Sequence, residues 1–383
     1  MRINRISLEN YRNIVRCDLT PGEGVNLIVG DNAQGKTNLM EAIWLLTGEK
    51  SFRFGRENEI PRLDMDRDSQ RCRVFAQVYT EGRDQELEYI LWPKRQVRIN
   101  GITEPGRNAF SGKLCCVAFS PNHLSLVRDG PAERREFLDS AICQLRPQYS
   151  RVLGDYNRAL AQRSTLLREA YRDRSRLDLL PVFDYHIARL GSLILVTRQS
   201  YLRHLAEYAA GFHEGISSGR EELAVRYTVG GSGSGVLDPQ GSREELEQAL
   251  LTLLEQGREE DLRQGSTGVG PHRDDLSLLL SGRAARNFAS QGQQRSLVLS
   301  LKLAECEMIA DTMQSQPVVL LDDVMSELDR SRREYLLKRL TGRQVFITAC
   351  DDSLLWETGE AEVFAVRGGE FFPGGFPMTE EEG

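Results

Sequence analysis

The residues best suited to chemistry lie in GDNAQGKT, Gly30 to Thr37, which fits the pattern GxxxxGK[ST]. Gly30 and Gly35 let the backbone curl so that its N–H groups converge on phosphate oxygens, and a helix that starts there adds its N-terminal partial positive charge. Lys36 would neutralise the β- and γ-phosphates of a nucleotide, and the Thr37 hydroxyl would ligate Mg²⁺. The expected nucleotide-binding set is therefore Gly30, Asp31, Asn32, Ala33, Gln34, Gly35, Lys36, Thr37 and Asn38. The pattern alone arises by chance; its weight comes from the apolar VNLIV before it and the helical NLMEAIWLL after it. A second stretch, VVLLDD from Val318 to Asp323, is an apolar run ending in two carboxylates. A buried parallel strand would place Asp322 at its C-terminal edge, where open α/β sheets bind ligands, ready to hold Mg²⁺ through water. Asp323 then becomes the candidate to orient or deprotonate an attacking water, so that Lys36 and Asp323 form the expected catalytic pair. Solvated acids at a strand end are common, but they do not account for the phosphate loop upstream. Together the two motifs indicate an NTPase.

The flanking patterns supply the elements that must position these groups. RINRISLENY and VNLIV alternate or run apolar as strands do, and Arg71 to Gly101 reads as an antiparallel meander, with LCCVAF as one more buried strand. From Pro131 the texture turns helical, with Tyr149, Leu153, Tyr156, Leu160 and Leu167 at helical intervals and arginines assigned to the other faces. GGSGSG at 230–235 reads as a flexible loop, and SREELEQALLTLLEQ as a helix capped by Ser242. After Gly270 the α and β patterns resume. The expected fold class is α/β, a nucleotide-binding head with mixed β-sheets and an inserted helical arm. The head takes residues 1–127 and 216–383 (lobe I) and the arm 128–215 (lobe II), the two ends sharing one sheet.

Composition narrows the class. A 383-residue chain with 40% hydrophobic residues can bury a large core. Its charged N-terminus lacks a signal-peptide core, and no run reads as the ~20 apolar residues of a membrane span, so a cytoplasmic protein without a membrane partner is expected. The seven cysteines show no metal-binding spacing, and Cys115 and Cys116 read as buried thiols. The net charge of -7 excludes a globally basic nucleic-acid binder, although Arg128 to Arg203 is locally rich in arginine.

Ser290, Gly292 and Gln293 of SQGQQ open a helix about thirty residues before the acids and follow the order of the SGGQ signature of ABC-type ATPases. Ser326 and Asp329 of SELD match the D-loop of that class. Over almost its whole length the chain resembles the RecF family of DNA-repair ATPases: ENYRN, GDNAQGKTNLMEAI, AFSPNHLSLV, GPAERREFLD, GPHRDDL, SQGQQRSLVLSLKLAE and LLDDVMSELD carry the likeness. SMC proteins, Rad50 and RecN are similar around the phosphate loop but insert longer coiled coils.

The resemblance implies that two chains sandwich two nucleotides, with Ser290 and the Gly292 N–H contacting the γ-phosphate held by the partner's Lys36. ATP would then drive a homodimer that acts as a DNA clamp in gap repair, working with RecR and RecO to load RecA on the nucleoid. Arg12 and Asn13 fall where such heads place nucleotide-proximal residues. Arg134, Arg135, Arg151 and Arg158 of the arm are the expected contacts to duplex DNA or a single/double-strand junction, displacing counterions from phosphates. Of the glutamines, Gln293 is expected to touch nucleotide and Gln291 to shape the turn. Asp323 stands where transporter ATPases carry Glu, which implies slow hydrolysis. FITACDD lacks their switch histidine and leaves Thr348 as a substitute sensor. An ATPase subunit of a membrane transporter is the alternative reading; it requires the LSGGQ, Glu and His pattern and no arginine-rich arm. A scaffold with a silent nucleotide fold conflicts with the intact Lys36, Thr37, Asp322 and Asp323.

Overall fold

The computed structural model describes residues 1–53, 57–170, 173–233, 235, 237–351 and 360–374. The chain forms two compact units, Met1–His123 with Lys302–Gly383, and Leu124–Leu301. The first seam falls near the expected boundary at 127/128. The second falls at 301/302 rather than 215/216, because the segments after the arm pack with the arm helices.

The first unit begins with β1 (Arg2–Tyr11), β2 (Ile14–Leu19), β3 (Val25–Val29), α1 (Lys36–Leu45), β4 (Cys72–Thr80), β5 (Arg83–Trp92), β6 (Gln96–Ile99), β7 (Ile102–Glu104) and β8 (Cys116–Phe119). The second contains α2 (Ser125–Arg128), α3 (Pro131–Leu145), α4 (Pro147–Glu169), α5 (Leu180–Ser217), β9 (Leu223–Thr228), α6 (Arg243–Gln256) and α7 (Arg258–Gln264). It continues with β10 (Asp275–Leu280), β11 (Arg283–Ala284) and α8 (Ala285–Phe288). Helix α9 (Gln291–Met313) leads back to the first unit, which ends with β12 (Val318–Leu321), α10 (Arg330–Arg339), β13 (Val345–Ala349), β14 (Ala361–Arg367) and β15 (Glu370–Pro373).

The two chain ends share a sheet of order β15-β14-β3-β13-β12-β8, parallel except for β15. β1 and β2 do not join it; they pair with the meander in an antiparallel sheet, β2-β1-β4-β5-β6-β7. The burial patterns explain the partition. β12 and β13 are buried at every position, as central parallel strands are, whereas β4 alternates buried and half-buried residues as a sheet with one covered face does. Leu39, Met40, Ile43 and Trp44 of α1 share one core with Leu8 and Val74 of the antiparallel sheet and Ile28, Leu320 and Phe346 of the parallel one. Each such side chain contributes roughly 1.5–3 kcal/mol by leaving water. Cys115 and Cys116 are buried, and burial pushes the Cys115 thiol up to about 12.

In the second unit Tyr149, Tyr156 and Leu167 of α4 are buried as the helical spacing predicts, and Ser242 caps α6 in a reciprocal box with Glu245. The arginines do not all lie on other faces: Arg163, fully buried, donates to Asp184 (2.7 Å), Asp261 (2.6 Å) and Thr267 (2.9 Å). A small antiparallel sheet, β11-β10-β9, went unread in the sequence. The glycines at 230 and 231 are not a flexible linker either, since a Cβ at Gly230 would lie 1.9 Å from the Arg273 carbonyl oxygen and the Gly230 N–H donates to Asp274. Ser234 lies outside the described residues. Contrary to the sequence reading, α5 is long and apolar enough by composition to cross a membrane, but 44% of its most apolar window is buried within the fold, where it packs on α4, α6 and β9 as a core helix does.

The GPHRDD loop joins these helices through one histidine. His272 Nε2 donates to the Thr267 carbonyl (3.0 Å) and Nδ1 accepts from the Tyr156 hydroxyl (2.7 Å), a neutral ring in which both nitrogens are satisfied. Burial, with Arg273, Arg135 and Arg198 adding to it, lowers the His272 pKa to about 4. The unfolded chain therefore takes up the proton first. Stability present at neutral pH falls as pH drops from about 6.5 to about 4, by on the order of 3 kcal/mol. Urea midpoints at pH 7 and pH 4.5 are expected to differ more in the wild type than in His272→Gln; equal pH dependence would contradict the assignment.

Candidate nucleotide-binding site

Strand register builds the site. Leu321 of β12 lies opposite Ile347 of β13, and Thr348 and Ala349 lie opposite Ile28 and Val29 of β3. Asp322, Thr348 and the loop after Val29 consequently emerge at one edge of the parallel sheet. The loop turns sharply: a Cβ at Gly30 would sit 2.3 Å from the Val366 carbonyl oxygen, and Gly35 has φ +122°. Asp31, Asn32 and Ala33 form its exposed crest, with Ala33 at φ 64°. No side chain caps α1, which leaves N–H groups at its start for an anion. Lys36, 4% exposed, donates to the carbonyls of Gly30 and Asp31, the latter at 3.0 Å.

Asp322, 7% exposed, is the shared acceptor. Its Oδ1 accepts from the Thr37 hydroxyl (2.9 Å) and from the Thr348 hydroxyl (3.1 Å). Burial pushes its carboxyl above the ordinary range and the neighbouring Asp323 adds to that, against the hydrogen bond from Thr37. A carboxylate so placed, next to a hydroxyl, gains most from a hard cation. The pair fits Mg²⁺ by donor type. Asp323 adopts φ 53°, a left-handed conformation uncommon outside glycine, and its N–H donates to Thr348 Oγ1 (2.8 Å). Thr348 thus touches both acids. The Ser326 hydroxyl donates back to the Asp323 carbonyl (3.0 Å), while Asp329 caps α10 by accepting from the Arg332 N–H (2.9 Å).

Asn13 and Arg12 brace this loop and helix. Asn13 donates to the Gln34 carbonyl (3.0 Å) and accepts from Asn38 (2.7 Å). Arg12 does not present an open guanidinium to the loop: it is held in a fork by Glu41 of α1, at 2.7 and 3.0 Å. Glu41 is fully buried and was not singled out in the sequence, although its place one turn after Thr37 puts it on the same helix face.

Ser290, Gly292 and Gln293 lie in the other unit, at the start of α9. Ser290 and Gln293 cap each other: the Gln293 N–H donates to Ser290 Oγ (3.3 Å), and Gln293 Oε1 accepts from the Ser290 N–H (2.7 Å). The Gln293 NH₂ donates to Glu221 (2.8 Å), so both ends of its amide are engaged, while Gln291 and Ser290 are exposed. Gln293 thus takes the turn-shaping part that the sequence assigned to Gln291. Among the arm arginines, Arg134 is withdrawn as a DNA contact. It is 6% exposed, forks onto Asp275 (2.7 and 3.0 Å) and donates to the carbonyls of Leu126 and Asp129. Arg135 is half-buried and donates to the Asp274 carbonyl (2.6 Å). Arg151 and Arg158 are exposed on α4, the latter paired with Asp155.

Residues 2–368 match the RecF/RecN/SMC N terminal domain family. The chain is 39% identical to the DNA replication and repair protein RecF of Acetivibrio thermocellus over 93% of this chain and 95% of that protein. It is 37% identical to that of Pelotomaculum thermopropionicum over 97% and 100%. Its fold superposes on the solved recombination mediator protein RecF-ATPrS of the RecFOR pathway with a TM-score of 0.89, at 34% identity over 97% of this chain and 98% of that one. The Smc head domain from Pyrococcus furiosus, at 13% identity, 97% and 95% coverage and a TM-score of 0.55, shares the fold.

Gly30→Ala places a methyl group against the Val366 carbonyl and must displace the loop. Affinity for a fluorescent ATP analogue is expected to fall by at least about tenfold, roughly 1.4 kcal/mol, with the far-UV spectrum retained. Unchanged affinity would show that the loop does not depend on this close approach.

Proposed function

Since the chain belongs to the RecF family of DNA replication and repair proteins, an ABC-type ATPase fold, we propose that ATP acts in it as a switch on assembly. The chain is an ATPase and ATP is its nucleotide. Lys36 and the loop N–H groups hold the phosphates; Thr37 and Asp322 hold Mg²⁺, which supplies charge neutralisation at the phosphates when bound. Asp323, fixed by Thr348, orients the water. Ser290 and Gly292 of a second copy close the site over the γ-phosphate, so that ATP supports a homodimer and ADP does not.

The observation that carries this reading is the pairing of two incomplete anion sites: an uncapped α1 N-terminus behind the phosphate loop, and an exposed α9 N-terminus at the signature. Of the four N–H groups at the start of α9 that have no intrahelical partner, those of Ser290 and Gln293 are taken by their reciprocal cap, leaving those of Gln291 and Gly292 for an anion. Of the D-loop residues, Ser326 holds the Asp323 carbonyl and Asp329 caps α10. In this reading the dimer clamps duplex DNA or a single/double-strand junction in the cytoplasm, on the nucleoid. RecR and RecO act with it to load RecA. The head serves nucleotide and the arm DNA, and with Arg134 withdrawn the DNA contacts rest on Arg151 and Arg158, Arg135 lying deeper. A transporter ATPase is not favoured, since the RecF relatives match nearly end to end.

Lys36→Met and Ser290→Arg are each expected to abolish ATP-driven dimerisation in sedimentation velocity, and with it the gain in DNA affinity read by anisotropy. Dimers at wild-type levels in both variants would overturn the split site. Asp323→Asn keeps the size of the side chain and removes the base, so phosphate release is expected to slow at least tenfold, about 1.4 kcal/mol of barrier, while ATP-bound dimers persist. Unchanged turnover would remove Asp323 from the water-orienting role.

A further inference from the structure

We infer that Glu221 is the positioning residue of the signature, setting the amide of Gln293 and through it the conformation of Ser290, and that it ties this setting to the end of the long arm helix. The inference rests on reading Ser290 and Gly292 as the group that contacts a partner's nucleotide. Glu221 follows the αL turn that ends α5, with Ser218 at φ 54° and Gly219 at φ 72°. Its carboxylate is divided between two elements. Oε1 accepts from Gln293 Nε2 on the first turn of α9 (2.8 Å), and Oε2 lies 3.1 Å from His213 Nε2 on the last turns of α5.

An amide side chain has two nearly isosteric ends, one donating and one accepting, and its neighbours decide which way it lies. Gln293 must offer oxygen to the Ser290 N–H to close the capping box. A carboxylate accepts and does not donate, so Glu221 claims the NH₂ end and leaves the oxygen for Ser290. Without it the flipped amide sets NH₂ against N–H, and the first turn of α9 loses one half of its cap. His213, wholly buried, holds the carboxylate from the other side, and its Nδ1 lies 3.3 Å from the Ser300 hydroxyl of α9. Glu221 and His213 therefore join the C-terminal end of the arm helix to the N-terminal turn that bears the signature. Neither residue belongs to a motif singled out in the sequence, and neither touches the phosphate loop's own residues among the contacts described.

The test is a double-mutant cycle on the full-length chain with ATP, reading the dimer dissociation constant by sedimentation, the monomer's nucleotide affinity, and the melting temperature. Glu221→Ala is expected to weaken ATP-driven dimerisation at least tenfold while the monomer's ATP affinity holds. Glu221→Gln, which keeps an oxygen acceptor for the Gln293 NH₂, is expected to restore most of it. Glu221→Ala and Gln293→Ala together are expected to do no more than Gln293→Ala alone. Additive losses, or failure of Glu221→Gln to rescue while the melting temperature is kept, would overturn the positioning role. So would wild-type dimerisation of Glu221→Ala in an experiment where Ser290→Arg fails to dimerise. If Ser290→Arg itself dimerises normally, the split-site reading falls and this inference falls with it.

Discussion

Asp322 Oδ1 accepts hydrogen bonds from two hydroxyls that come from distant parts of the chain, Thr37 after the phosphate loop and Thr348 at the end of β13. That acceptor can exist only if β3, β13 and β12 are parallel neighbours in one register, because a slip of one residue would turn each of these side chains to the opposite face. The hydrophobic runs VNLIV, VFITA and VVLL serve that end. They carry no polar residue except Asn26 and Thr348, both of them hydrogen-bonded. A buried carboxylate is tolerated at the strand end because two hydroxyls satisfy it, and the same burial makes it a strong partner for a cation.

The second unit depends on buried arginines in a comparable way. Arg163 is held by Asp184 and Asp261, Arg198 by Asp139, the Tyr149 hydroxyl and the Pro271 carbonyl, and Arg134 by Asp275. Ion pairs this deep add little net stability over a well-packed apolar core, but the loss of one partner leaves an uncompensated charge. They fix which helices meet. A stretch that is rich in arginine along the sequence is therefore less basic at its surface than its composition suggests, which limits how much of it faces a phosphate backbone.

The head was legible where a sequence pattern maps directly onto backbone geometry. The strand–loop–helix around Gly30 to Thr37, the buried strand ending in Asp322 and the cap at Ser242 each need only neighbours in sequence to be recognised. What escaped depends on pairing. β9, β10 and β11 are short and owe their existence to each other and to α5. β1 reads as a strand, but nothing local says which of two sheets will take it. The site divides in the same manner: the groups that meet phosphate were visible from their spacing, while Glu41 and Glu221 became visible only as partners of Arg12 and Gln293. The engagement of Gln293 in the turn has the same cause, since its amide is held by a carboxylate 72 residues upstream.

The central claim is that one nucleotide site needs two chains, one supplying Lys36 and the other Ser290. Mixing tests it most directly. Lys36→Met chains carry an intact signature and Ser290→Arg chains an intact phosphate loop, so a mixed dimer contains one complete site and one with both faults. With donor and acceptor dyes on the two variants, the account predicts ATP-dependent energy transfer in the mixture, and none in either variant labelled and mixed with itself. A mixture that stays monomeric with ATP, or a single variant that assembles alone, would contradict it.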